Sequence, residues 1–584
     1  MRILSAALLV CLLAPVSALA KLSVPSFFSD HMVLQREQSV LIWGKGDLNS
    51  QITVSFKGRS AATVTDDEGH WKLRILTGAA DAQGAPLSIT SLPGKQTITI
   101  QDVLVGEVWF ASGQSNMVFT MNRVPAYADV IEKSDFPQIR MFNAPTVTAV
   151  ETQDDIAGEW TLCSPDTVPG YSAVAFFFAR KLHTELGVPV GVIKAAWGGK
   201  PVETFTSRKA LNSLPGTKKL VDAAVASDAN FDPVRAKAAY EQRLKQWEDA
   251  DAAWKKKPAA ERGRRPRKPA APKRALDTEG QPGVLFNSMI NPFVGYTQRG
   301  AIWYQGEGNA KAGAVPYDQT LPLLINDWRT RWDDDFSFYF VQLANYRDPS
   351  TEPGNNDPWP LLQDRMRRIL QTTPKTGMAI INEIGEAKDI HPKNKHDVGE
   401  RLALWALAKD YGRKDLVYSG PLFRSSVVKD GAVEVTFDHA GSGLKVRDGG
   451  KLARFEIAGA DKVWHWADAR VTAPDTVTVS SSNVRKPVAV RYAWAANPEG
   501  ANLINSAGLP ASVFRTDDWD DAVVQVDPTE QRNQEERRAL AVEIKALIAK
   551  RADLKRGSDE FNELTARHRE LLKKFQALAP QPAN

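Results

Sequence analysis

Four polar segments, each directly after or near an apolar run, hold the residue types that acyl transfer needs. Ser115 lies in ASGQSNM (111–117), immediately after VGEVWF. A hydroxyl can attack an ester only if it stands clear of side-chain bulk, with backbone N–H groups close enough to hold an oxyanion. Gly113 and Ser115 on a strand-to-helix bend suit that requirement. The base for such a hydroxyl is found in KDIHPKNKHDVGERLALWAL (388–407), where His391 sits on a predicted loop just before an amphipathic helix. Asp389 is two residues earlier, and a Ser–His–Asp system needs an imidazole to take the proton and a carboxylate to fix its tautomer. The chain has eight histidines. His391 is set apart by its place after the last buried strand and by the carboxylate beside it.

Two further segments offer groups that stabilise negative charge. AAWGGKPVET (195–204) contains Gly198 and Gly199, a bend whose N–H groups are unobstructed. WYQGEGNA (303–310) supplies the neutral amides of Gln305 and Asn309 and the carboxylate of Glu307, and side-chain amides are suitable oxyanion donors. Each segment alone reads as a turn or a polar loop capping a strand. It is their joint occurrence at predicted strand ends that points to ester hydrolysis.

The elements that must position these residues can be read from hydrophobic pattern. VGEVWFA (105–111), VGVIKAAW (190–197), GAIWYQG (300–306), FYFVQLANY (338–346) and GMAIINEIG (377–385) are near-continuous apolar runs. Between them lie helix-like stretches such as AVAFFFARKLHTEL (173–186) and YDQTLPLLINDWRTRW (317–332). This alternation predicts a parallel sheet covered on both faces, whose ligands bind at the carboxyl ends of the strands. Residues 21–102 read as an N-terminal β domain and 416–526 as a C-terminal one, from short alternating runs separated by turns. The α/β region between them, 103–415, is interrupted at about 230–275 by an Ala-, Lys-, Arg-, Glu- and Pro-rich insertion. Its first part reads as a charged helix and its second, KKKPAAERGRRPRKPAAPKR, as a solvated basic segment. Residues 527–584 form a charged tail with Leu540, Ile544, Leu547 and Ile548 on one helical face. Leu564, Leu571, Leu572 and Phe575 lie on another, with Gly557 between, as expected for two helices that pack as a hairpin or self-associate.

Composition limits the alternatives. With 584 residues, 43% hydrophobic, 24% charged and a formal net charge of +5, the chain has ample core material and no pointer to nucleic acid. Residues 1–20 read as a cleaved signal peptide: Arg2, an apolar run from Ile3 to Leu13, then Ala18-Leu19-Ala20. A secreted or periplasmic location is therefore expected, with no integral membrane segment after its removal. Cys163 would then be the sole cysteine, a packed hydrophobe rather than a disulfide partner. No thiolate cluster or H-x-x-x-H pair suggests a metal site, and no cofactor is expected.

GQSNM, WGG, WYQGEGNA and DIHPKNK, in this order, resemble the sialate O-acetylesterase family, a branch of the SGNH hydrolases. VLFNSMINPFVGYTQRGAIWYQGEGNA (284–310) resembles its most characteristic stretch, and the resemblance spans about residues 21–518. It implies an α/β fold, a flavodoxin-like three-layer α/β/α hydrolase domain with accessory β-sandwich-like domains, and no metal. It also implies an acetylated sugar or glycan as substrate. By motif, Ser115 matches the nucleophile and His391 the base. Gly198 or Gly199, with Gly199 favoured, and Gln305 match the oxyanion donors. Asp389 matches the orienting acid, although the family often places that residue three positions before the histidine; Glu386 and Glu307 are the alternatives. Gln114, Asn116, Glu307 and Asn309 are expected to line the substrate site. The chain departs from the family at Lys200, Gly308, Gln363 and Met366. A polysaccharide ester such as acetylxylan, and a non-catalytic carbohydrate-binding role, are the competing readings.

Overall fold

Strands with no polar side must be buried on both faces, and the apolar runs fold accordingly into one sheet. In the computed structural model its strands are β1 (Gln96–Gly113), β2 (Phe136–Asn143), β3 (Trp160–Cys163), β4 (Val190–Ala196), β5 (Gly300–Tyr304), β6 (Ser337–Val341) and β7 (Thr376–Ala379). They lie in the order β7-β6-β5-β1-β4-β2-β3. All neighbours are parallel except the edge pair β2–β3. The structure describes residues 21–519 apart from 230, 259, 260 and 264, and tail residues 536, 540, 543, 544, 546–548, 550, 551 and 558–578.

Successive side chains of β1 point to opposite faces. Trp109 packs edge-on to Phe178 at 5.0 Å, whereas Phe110 meets Phe293 and Trp328 at 5.6 Å. Phe178 belongs to helix α1 (Ala173–Leu186) and Trp328 to α2 (Tyr317–Trp332). A third helix, α3 (Lys395–Lys409), sets Trp405 against Tyr339 of β6 at 6.3 Å. The starts of α1 and α3 are fixed by caps: Ser172 Oγ accepts from Ala175 N at 3.3 Å, and Asn394 Oδ1 from Asp397 N at 3.1 Å. From β1 the chain crosses to β2 and β3 at one edge, returns to β4 beside β1, and then winds outward through β5, β6 and β7 on the other side. The carboxyl end of β1 is therefore the switch point where a crevice opens.

Strand β1 runs continuously through residue 102, where the N-terminal β domain is expected to end. The first half of β1 pairs antiparallel with Asp81–Leu92, for example Thr97 with Thr90, and its second half pairs with β4 and β5. One strand thus serves two pairings, and its partner changes between Val105, which still faces Asp81, and Glu107, which faces Val190. Residues 21–310, 315–355 and 359–516 form one compact unit, which includes the β-rich region after α3. There, two four-stranded sheets and a two-stranded pair enclose Phe423, Phe437, Phe455, Tyr492 and Phe514.

The insertion begins as the helix Pro233–Lys256, and the basic segment returns along it. Trp254 Nε1 donates to Gly263 O at 2.7 Å and Trp247 Nε1 to Pro266 O at 3.0 Å, while Arg265 Nε bonds Asp251 Oδ1 at 2.6 Å. Asp228 accepts from Arg274 Nη2 at 2.5 Å and from Leu276 N at 3.1 Å, which pins the two ends of the insertion at one point.

The second unit comprises 311–314, 356–358 and residues from 517 onward. It contains the helix Asp559–Ala577, in which Leu571 is buried; Leu540 is buried too. Residues 1–20, where a signal peptide is expected, and Gly557 lie outside the described residues. Among the described residues no helix is long and apolar enough to cross a membrane. Cys163 is buried and free, and burial pushes its thiol up to about 12, which leaves it unreactive.

Candidate active site

The nucleophile turn is built by strand ends. β1 stops at Gly113, whose φ of +135° is left to glycine; a Cβ there would lie 2.2 Å from Tyr304 O of β5. Gln114 N donates to the same carbonyl at 2.9 Å, and Trp197 N, just past β4, donates to Gly113 O at 3.0 Å. Both neighbouring strands therefore latch onto the bend, and Ser115 opens the single helical turn Ser115–Val118 half-exposed in the crevice. Gly198 lies against it: a Cβ there would come within 3.2 Å of Ser115 Cβ. Gly199 follows at φ +69° with open space where a Cβ would stand. Among the described residues, neither the Ser115 nor the Gly199 N–H donates to a protein acceptor.

The loop between β7 and α3 brings His391 to this turn. Ser115 Oγ donates to His391 Nε2 at 2.8 Å, and His391 Nδ1 faces Asp389 Oδ1 at 3.2 Å. The same carboxylate oxygen accepts from His391 N at 2.9 Å, so the two-residue spacing makes a tight local bridge. Lys393 Nζ holds the other oxygen at 2.6 Å and Glu386 Oε2 at 3.0 Å. Glu386 thus binds Lys393 and not the imidazole, and Glu307 lies on another segment. The lysine and the His391 donors hold Asp389 down to about 2. Burial lowers His391 below the ordinary histidine range, against the pull of Asp389. At neutral pH the imidazole is therefore uncharged, as a general base must be.

The third segment is placed differently from expectation. Gln305 is fully buried: its Nε2 donates to Lys200 O at 3.2 Å and Asn309 Oδ1 at 2.8 Å, and its Oε1 accepts from Tyr317 at 2.7 Å. Both amide hydrogens are engaged in the wall, so the side chain does not present a donor toward Ser115. Asn309 is turned the same way, bonded to Val202 N at 3.0 Å and to Glu203 at 3.1 Å. Gln114 and Asn116, at 2% and 1% exposure, also point inward and donate to Glu307. Gln114 and Asn116 thus bond to the half-buried Glu307, while Asn309 bonds to the wall made by Val202, Glu203 and Gln305. The reason is local: Gln114 and Asn116 flank Ser115 on a tight turn, so when the hydroxyl faces the crevice its neighbours face the sheet. Burial raises the Glu307 carboxyl above the usual carboxylate range.

Three residues escaped sequence reasoning. Lys395, in the NK of DIHPKNK, is wholly buried; it reads as a surface charge because only the cap at Asn394 shows that it opens α3. Tyr127 anchors the histidine loop by donating to Lys393 O and accepting from Lys395 N, both at 2.9 Å. Phe119 stacks on His391 with ring centroids 6.1 Å apart. Of the departures, Lys200 lies half-buried beside Trp197, its Nζ 5.5 Å from the ring centroid.

No protein-family model matches the chain. It is 28% identical to the sialate O-acetylesterase of Mus musculus over 535 residues, which cover 84% of this chain and 93% of the mouse protein. The Homo sapiens sialate O-acetylesterase is 25% identical over 431 residues, 68% of this chain and 72% of that one. Among solved structures, a carbohydrate acetylesterase from Xanthomonas citri superposes with a TM-score of 0.70 at 34% identity, covering 85% of this chain and 100% of that one. With 34% identity to that enzyme over 85% of its length, the chain belongs to the family of carbohydrate acetylesterases that includes the sialate O-acetylesterases.

Proposed function

We propose that the protein is a carbohydrate O-acetylesterase that removes acetyl groups from sugars through an acetyl-enzyme on Ser115. The observation that carries this reading is the 2.8 Å hydrogen bond from Ser115 Oγ to an uncharged His391. His391 Nε2 takes the hydroxyl proton as Oγ attacks the acetyl carbonyl. The tetrahedral oxyanion is held by the N–H groups of Ser115 and Gly199, which have no protein acceptor among the described residues. The C–O bond to the sugar breaks, and the leaving oxygen takes the proton from His391. Water, deprotonated by the same imidazole, then releases acetate and restores Ser115. Asp389 holds the His391 tautomer and stabilises the imidazolium that forms. A non-catalytic binding protein would have no need of a serine bonded to a neutral imidazole.

The finer fold reading belongs to the same proposal. Ring packing on both faces of β1 supports an SGNH-type three-layer α/β/α domain with β-rich accessory layers. The sequence of residues 1–20 supports a secreted or periplasmic location. The names of the relatives make acetylated sialic acid the first substrate to try, with acetylxylan as the comparison. Purified protein should release acetate from such esters, and Ser115→Ala should lower turnover by on the order of 10⁶ without loss of fold. Wild-type turnover in a folded Ser115→Ala variant would refute the reading.

A further inference from the structure

Asn116 is the point where three distant segments meet. Its Nδ2 donates to Glu307 Oε1 at 2.5 Å, on the loop after β5, and to the backbone oxygen of Ile390 at 3.1 Å. Its Oδ1 accepts from Lys395 Nζ at 2.5 Å, at the start of α3. Ser115 precedes Asn116 and His391 follows Ile390. One amide therefore joins the turn that carries the hydroxyl to the loop that carries the imidazole.

The two charged neighbours dictate which way the amide points. A flipped Asn116 would put its N–H groups against the Lys395 ammonium and its oxygen against the Glu307 carboxylate. With a cation on Oδ1 and an anion on Nδ2, only one orientation is favourable, and it is the one that offers an N–H to Ile390 O. Lys395 is wholly buried, with Nζ 4.9 Å from the Phe119 ring centroid and 5.3 Å from that of Tyr304. Phe119 is the ring that stacks on His391. The other charges bearing on this lysine are Glu307, Asp389 and Glu386, which favour its cation, and Lys393, which opposes it; burial outweighs them and lowers it to about 7. Burying an ammonium group is costly, and a methionine of similar length would fill the same space at less cost, so packing alone does not account for it.

We infer that Asn116 and Lys395 are positioning residues: Asn116 ties the histidine loop to the nucleophile turn and sets the Ser115–His391 distance, and Lys395, with Glu307, fixes the orientation of its amide. The inference rests on the proposed roles of Ser115 and His391.

The test is a double-mutant cycle of Asn116→Ala and Lys395→Met, assayed on a small acetyl ester and normalised to folded protein. Each single change should lower kcat by about 10- to 100-fold, the effect of a misplacement on the order of 1 Å, with KM within about threefold. Because Lys395 acts through Asn116, the double variant should lose little more than the worse single one. Lys395→Met should also move the acid limb of kcat/KM to higher pH, since the cation it removes lowers His391. Folded variants with kcat within twofold of wild type, or losses that simply multiply in the double variant, would overturn the inference. If Asn116→Ala fails to fold, the kcat and acid-limb results for Lys395→Met decide alone. Failure of the underlying reading is seen separately, as turnover that survives Ser115→Ala.

Discussion

Asp389→Asn removes a charge from the imidazole while keeping the shape of the side chain. The magnitude follows from the geometry. The carboxylate lies 3.2 Å from His391 Nδ1. Its attraction for an imidazolium at that distance is about 1.3 kcal/mol at the dielectric of bulk water and about 5 kcal/mol at an effective dielectric of about 20. The Asp389 side chain is 40% exposed and that of His391 27%, so screening keeps the interaction toward the lower figure, at about 2–3 kcal/mol. The expected loss in kcat/KM is therefore about 30- to 150-fold, well below the roughly 10⁴-fold seen when a fully buried orienting aspartate is neutralised. The sign of the pH effect is also determined. Asp389 raises the imidazole toward its ordinary range and burial lowers it. Removing the carboxylate leaves burial, Lys395 and Arg123 unopposed, so the acid limb of kcat/KM should shift to lower pH. Initial rates of acetate release from pH 4 to 9 would measure both. A loss under about threefold with an unmoved limb would show that Asp389 does not act on His391. A loss near 10⁴-fold would show that substrate binding shuts water away from Asp389.

Gly113→Ala should destabilise the protein by about 2–4 kcal/mol, combining strain at positive φ with a Cβ placed 2.2 Å from Tyr304 O; an unchanged denaturation midpoint would refute the backbone argument. Chelators should leave activity intact, because every step of the proposed cycle uses protein groups and water; activity lost in EDTA and restored by a metal would overturn the mechanism. A chain ending at Val526 should turn over a small acetyl ester within about tenfold of wild type, since a larger effect exceeds about 1.4 kcal/mol on the barrier. Kinetics of that truncation, once shown to fold, would reveal any contribution of the tail to the site.

The positions of the motifs were legible because a buried parallel strand must be apolar throughout and its polar successor must lie at the carboxyl end. That logic puts Ser115, Gly199 and His391 just past the ends of apolar runs, and the hydrogen bond between Ser115 and His391 joins two of those segments. Side-chain direction was not legible. Gln305, Glu307 and Asn309 alternate along a loop whose turns are set by Tyr317 and Glu203, residues with no sequence mark of that role. The burial of Lys395 was not legible because it depends on Phe119 and Tyr304, supplied from far along the chain. The continuity of β1 through residue 102 was not legible either: the strand changes partners along its length, and a change of partner leaves little trace in hydrophobic pattern.

Asp228 gives the fold an engineering handle. Because the carboxylate gathers Arg274 and Leu276 beside the helix Pro215–Ala229 that carries it, the excursion that starts at Pro233 leaves and returns at nearly the same place. The sheet registers only that the two ends meet, not what lies between them. Closure entropy rises slowly with length, by about 0.6 kcal/mol per doubling. A guest domain with neighbouring termini could therefore replace the helix and the basic segment that returns along it, provided that Asp228 and Arg274 are kept, and would ride on the esterase as cargo.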